Sequence, residues 1–350
     1  MSKRHRSSRK PADAPRGCFL SPVVRSIKDG LRWVDEYEYE FKSYVKGRWV
    51  HRLLLEVCQK EFIANSQDYY KEAIEQERIL INGKPCNVEY VLNHNDVFTH
   101  KANCRENPVS AEPIRAIYED EKIVAVSKPA SIPIHACGGY RVNTLTSLLR
   151  FERGEDSELL PAHRIDRLTS GLVILGKTPD AARDVSDAIA HDAAVEKLYL
   201  ARVKGKLDGT ITVKGYIKCV DFRIGKFELI PDGGDLCDDS KYSETEIEGI
   251  KFYSEQNESL VKCRPITGRT HQIRLHLQSI GHPIANDICY GGEFDPAHPF
   301  AICQIPSVQH DNLGKLFCGG IFLHAWKYRI PTLDIELDAG VPLWASGFIL

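Results

Sequence analysis

The stretch that most constrains this chain is 163–177, HRIDRLTSGLVILGK. Its apolar run Leu172–Leu175, bounded by turn residues, reads as a buried strand. Whatever precedes such a strand is held at the mouth of a sheet. What precedes it here is one carboxylate, Asp166, between two guanidinium groups, Arg164 and Arg167. Nearby positive charge favours the ionised carboxylate. Thr169, Ser170 and Gly171 are small enough to let backbone and ligand approach closely. The arrangement suits a reactive carboxylate, but on spacing alone a surface ion-pair cluster ahead of an ordinary core strand is the plainer reading.

The 350-residue length points to two domains, or to one large domain with a small companion. Hydrophobic residues at 43% and charged residues at 27% fit a globular chain with a sizeable core. With a net charge of −2, any nucleic-acid footprint has to be local, a cleft or stripe lined by Arg and Lys. The 11 cysteines are scattered, with no C-x-x-C pair and no zinc-type Cys/His spacing. Reduced thiols in a cytosolic, nuclear or organellar compartment fit them better than a disulfide framework. No apolar run reaches the ~20 residues of a membrane span, and the N-terminus lacks the apolar core of a secretory signal.

Along the chain, residues 1–16 form a basic tail with almost nothing to bury and are expected to be disordered. The tail does not separate compartments; cytoplasm or nucleus is expected, with the mitochondrion left open. Residues 17–47 are an aromatic and charged lead-in. Residues 48–103 read as a module: helices over 51–62 and 68–79, then a hairpin turning at Asn82–Gly83. Residues 104–113, with two prolines, read as a linker, and 114–350 as a second domain. In that domain helices are expected over 143–151, capped at Asn143 or Thr144, and over 178–193, with Pro179 in the first turn. Strands are expected at 122–127, 196–207 and 321–331.

Three further stretches carry reactive residue types. EKLYLARV places Lys197 and Tyr199 on one face of a strand. GRTHQIRLHL gathers Arg269, Thr270, His271, Gln272 and Arg274 around a helix start. GHPIANDICYGG adds His282, Asn286, Asp287 and Tyr290. Each has a plain alternative, such as a core tyrosine or solvated arginines. His271 and His276 lack the i, i+4 spacing of a helical zinc pair, which argues against a metal site.

Taken together, HRIDRLTSG, EKLYLARV, GRTHQIRLHL, GHPIANDICYGG and IFLHAW follow the order and spacing of RNA pseudouridine synthases of the RluA type, and VSKPASIPIH and NTL fit as well. The resemblance covers about residues 114–330. The 48–103 module, with its ILINGK turn and LNHNDV segment, resembles the S-four-like RNA-binding domain often found in that family. The resemblance implies an α+β fold: a central mixed, mainly antiparallel sheet with a catalytic cleft, preceded by a small S-four-like module. It implies isomerisation of uridine to pseudouridine in structured RNA, most of all in the anticodon stem-loop region of tRNA, without cofactor or metal; a monomer and no membrane association are expected. By the same resemblance Asp166 is the catalytic aspartate, and Arg274 salt-bridges it. Tyr199 stacks on the target base and serves proton transfer, and Arg164 faces the RNA, with Arg269, Thr270 and His271 as further substrate contacts. Ile165 stands where leucine is usual, and Ala285–Asn286 where bacterial members carry Gly-Asp, a variant that looks eukaryotic. Two rival functions remain: an idle RNA-binding or RNA-folding factor on the same scaffold, and a carboxylate-dependent hydrolase. The hydrolase would want a second catalytic carboxylate or a metal.

Overall fold

The computed structural model describes residues 17–62, 65–154, 158–221, 225–234, 237–295, 297–298, 304–305, 317–318 and 320–346. The basic tail therefore lies outside the described residues. The chain divides into two compact units, Met1–Arg25 with Val34–Glu106, and Ser26–Trp33 with Asn107–Leu350.

In the first unit β1 (Tyr37–Tyr44) is followed by α1 (Leu54–Glu61), α2 (Gln67–Glu75), β2 (Ile79–Ile81) and β3 (Val97–Cys104). β3 pairs antiparallel with both β1 and β2. The Ser66 hydroxyl caps α2 by accepting from Tyr69 N–H. Asn82 and Gly83 both take positive φ (53° and 74°), the pairing that a tight hairpin turn demands. Trp49, Leu54, Tyr70, Ile74, Ile79 and Phe98 fill the core beneath the sheet.

The second unit is built on one long sheet. Its elements are β4 (Arg115–Glu119), β5 (Ile123–Lys128), α3 (Leu145–Arg153), β6 (Ser170–Gly176), α4 (Pro179–His191), β7 (Glu196–Lys204), β8 (Thr210–Asp221), β9 (Lys226–Pro231), β10 (Lys241–Tyr253), β11 (Glu258–Pro265), α5 (Gln272–Ser279) and β12 (Leu323–Ile330). The strands lie in the order β9-β8-β10-β11-β7-β12-β6-β5-β4. Neighbours run antiparallel except β6 and β12, which are parallel and pair Ser170 with His324 and Gly171 with Ala325. The fold is thus α+β on a mixed, mainly antiparallel sheet, as the motifs imply.

Leu172, Val173, Ile174 and Leu175 are each 0% exposed, so side chains on both faces of β6 are covered and the unbroken apolar run is explained. One core gathers β5, β6, α3 and α4, and a second gathers β7, β11, α5 and Phe322. Thr144, rather than Asn143, caps α3 by accepting from Ser147 N–H, and Thr178 caps α4 with Pro179 behind it. Gly171 adopts φ +104°, and a Cβ there would meet the Ala325 carbonyl oxygen at 2.2 Å. Glycine is therefore needed for strand–strand contact here, where the sequence suggested approach of a ligand. Residues 104–113 hold buried Glu106, Asn107 and Val109, and Val109 pairs with Arg32 in a short ladder.

Candidate active site

Asp166 lies in the loop that leads into β6. Thr169 N–H closes a turn onto the Asp166 carbonyl at 3.1 Å, and Ile165 is buried below. The Asp166 side chain stays 20% exposed. The loop is fixed from beneath by groups the motif reading gave no role. Lys128, at the end of β5, is wholly buried and donates from Nζ to the carbonyls of Pro129 (2.9 Å) and Arg167 (3.2 Å). Burial, then the Arg167 charge, pushes its pKa down to about 7. His163 Nε2 accepts from Ile174 N–H at 3.0 Å, and burial pushes its pKa down to about 3, so it serves as a neutral acceptor.

The charge around Asp166 is not the one its sequence neighbours suggested. Arg164 is exposed, and the Arg167 guanidinium stands 5.6 Å over the Tyr140 ring. The groups that approach the carboxylate come from the start of α5. Arg274 Nη1 is 3.5 Å from Asp166 Oδ2, and His271 Nε2 is 3.8 Å from the same oxygen. Arg274 is committed elsewhere more tightly. Its Nε and Nη2 donate to the two oxygens of Asp287 at 2.6 and 2.8 Å, a bidentate pair with Asp287 only 1% exposed. Burial alone would lower the Arg274 pKa, but the Asp287 hydrogen bonds and charge raise it above the usual arginine value. The guanidinium also lies 4.7 Å over the Tyr290 ring. Asp287 thus fixes the fork of Arg274 and leaves one nitrogen for Asp166.

The turn before α5 shows why this happens. His271 takes a left-handed conformation, φ 56°, at the N-cap position without capping the helix. Its ring instead turns Nε2 toward Asp166, with Nδ1 hydrogen-bonded to Tyr290 Oη at 2.7 Å. Burial lowers its pKa against the opposing pull of Asp166. Buried Gln272 holds the turn instead: its Oε1 accepts from the Thr267 hydroxyl (2.7 Å) and Arg269 N–H (3.0 Å), and its Nε2 donates to the Glu244 carbonyl (2.9 Å). Thr270 and Arg269 stand exposed on this turn, with Arg269 Nε donating to the Tyr242 carbonyl at 2.9 Å.

Tyr199 is on β7, and its hydroxyl meets that of Tyr328 on β12 at 2.5 Å. Burial raises the Tyr199 pKa to about 12, so it is a neutral phenol, and the Asp166 charge acts in the same direction. The structure therefore gathers Asp166, Arg274 and His271 within ion-pair range, with Tyr199 close enough to feel the Asp166 charge. Arg164, Arg269 and Thr270 stand exposed nearby. Asp287 and Tyr290 were visible in a single motif, yet their partnership with α5 had no local signal. A carboxylate with a fixed guanidinium behind it and an exposed face can act as nucleophile or base toward a bound ligand. Among the described residues no group of His, Cys, Asp and Glu could hold a metal ion, and no helix is long and apolar enough to cross a membrane.

Residues 122–279 match the family model described as RNA pseudouridylate synthase, a segment that contains Asp166, Tyr199 and Arg274. Over 266 residues the chain is 41% identical to the human pseudouridylate synthase RPUSD2, across 75% of this chain and 47% of the human protein. It is 32% identical over 396 residues to a Saccharomyces cerevisiae tRNA pseudouridine(31) synthase, across 91% of this chain and 96% of the yeast protein. The solved structure of human RNA Pseudouridylate Synthase Domain Containing 1 is similar at TM-score 0.50 and 25% identity, covering 68% of this chain and 88% of that one. The chain spans about half the length of the human relative it matches.

Proposed function

The chain belongs to the RNA pseudouridylate synthase family, in its RluA-type branch, and from that we propose that it isomerises uridine to pseudouridine in structured RNA, tRNA before other RNAs. The observation that carries the reading is the Asp166 carboxylate, one face open and the other backed by an arginine that Asp287 holds in place.

In this reaction the bond from uracil N1 to ribose C1′ breaks, the base turns, and C5 bonds to C1′. The C5 proton leaves, and N1 gains one, so atoms and electrons balance without a redox partner. Asp166 serves it by attacking the nucleoside or by taking a sugar proton; both routes need an accessible, ionised carboxylate. Arg274 orients that carboxylate, and lysine in its place would lose the fork that Asp287 grips. Tyr199, a neutral phenol, is suited to stack on the turned base and to pass a proton near C5. The target base leaves its stack before reaction, at a cost of a few kcal/mol that is least in a loop. Arg164, exposed beside the nucleophile, is suited to fill the vacated position, with Arg269 and Thr270 on the RNA side of the α5 turn. We assign residues 48–103 to RNA capture as an S-four-like module and the enzyme to a monomeric state.

The test is tritium release from tRNA transcripts labelled at uridine C5. Wild-type protein is expected to release tritium, and Asp166→Ala to release none while still binding the RNA. An Asp166→Ala variant as active as wild type would overturn the assignment.

A further inference from the structure

A cleft of about 420 Å³ adjoins the catalytic centre, bordered by β9, the later turns of α5 and the 289–290 turn. Leu229 and Leu275 give it an apolar lining, and Phe227 and Tyr290 an aromatic one. Both rings also belong to the catalytic wall. Phe227 packs edge-on against His271, centroids 5.2 Å apart, and Tyr290 hydrogen-bonds His271. His271, Leu275 and Gln278 fall on one stripe of α5 at helical spacing. That stripe runs from the residue touching Asp166 to the cleft rim. Leu275 lies about one turn, ~6 Å along the axis, beyond His271, and Gln278 about two turns, ~10.5 Å.

The rim chemistry is specific. Glu228 is taken by Lys218 Nζ at 2.6 Å. Exposed Lys226 makes no ion pair among the described residues, so the lining carries an open positive charge. The Gln278 side-chain amide, exposed and with no hydrogen bond among the described residues, offers both a donor and an acceptor. The cleft volume falls within the ~300–1,000 Å³ of small-ligand pockets. An aromatic wall, an amide and a lone cation match a base face, a base edge and a phosphate.

We propose that this cleft binds the base of an unpaired nucleotide adjacent to the target uridine in the RNA strand, an inference that rests on the isomerase function above. It makes Gln278 and Lys226 determinants of which sequence flanks an acceptable uridine. Neither residue touches Asp166, Arg274 or Tyr199.

The experiment uses the full chain and unmodified tRNA transcripts. Gln278→Ala and Lys226→Ala are expected to weaken tRNA binding about fivefold or more and to raise KM for tritium release, with kcat within twofold of wild type. Transcripts carrying 4-thiouridine should crosslink to the peptide containing Phe227 or to that containing Gln278. Unchanged binding and KM in both variants, with crosslinks confined to other segments, would overturn the proposal. If wild-type protein releases no tritium from any tRNA, the isomerase reading fails. Binding and crosslinking then still decide whether the cleft holds a nucleotide.

Discussion

Arg274 serves two carboxylates unequally. Asp287 takes two nitrogens of its fork in a buried, bidentate pair, and Asp166 receives the third at the longer distance of 3.5 Å. Asp287→Asn keeps the shape and removes the charge that fixes the fork. The buried guanidinium then has Asp166 as its remaining anionic partner and is drawn toward it, capping the oxygen to which the proposed function gives the reaction. Breaking a buried pair costs about 3–5 kcal/mol. Asp287→Asn is therefore expected to lower the thermal midpoint by several degrees. It should also reduce kcat by about tenfold or more with KM little changed, read by tritium release at a temperature where the variant is folded. A variant that loses stability but keeps wild-type kcat would confine Asp287 to a structural role. At this scale the sequence was readable where the chemistry is local: HRIDRLTSG displays its carboxylate within nine residues. The grip of Asp287 on Arg274 spans 13 residues and depends on a loop folding back onto α5. The Tyr199–Tyr328 contact spans 129 residues, and no periodicity announces it.

At the level of elements, the Asp166 loop is aimed by the start of β6, where the parallel ladder to β12 brings Gly171 against Ala325. Gly171→Ala would combine a positive φ with a Cβ 2.2 Å from a backbone oxygen that cannot swing aside. Left-handed strain alone costs about 1–3 kcal/mol, and the collision adds to it. The variant is expected to melt well below wild type in a circular-dichroism scan and to lose activity even where folded, because Asp166 lies only five positions upstream. A melt and activity like those of wild type would show that the ladder shifts without cost. The strand itself was evident from Leu172–Leu175. Its parallel partner was not, because IFLHAW reads as one more apolar strand and nothing in either segment states direction.

Over the whole molecule, several histidines are folded into places that keep them neutral. Burial pushes His100, His276 and His324 down to about 4 and His163 to about 3, against about 6.5 for a free histidine. The unfolded chain therefore binds more protons than the folded one between about pH 4 and 6.5, and stability rises with pH across that window. Paired carboxylates such as Glu119, held at about 2 by Arg153 and Lys177, act only at lower pH. Urea midpoints are expected to fall progressively from pH 7 to pH 5, and a flat profile would mean that these histidines are not neutral in the fold. The motif order revealed the catalytic scaffold, whereas this acid sensitivity follows only from packing. The strand order has a further consequence, in the timing of synthesis. β12 comes late in the chain yet lies between β7 and β6, so until residues 323–330 leave the ribosome the long sheet exists as two separate halves. Asp166 and Tyr199 belong to different halves, and Tyr199 meets its phenol partner only on that late strand. The surroundings of Asp166 and Tyr199 are therefore incomplete until residues 323–330 have been made.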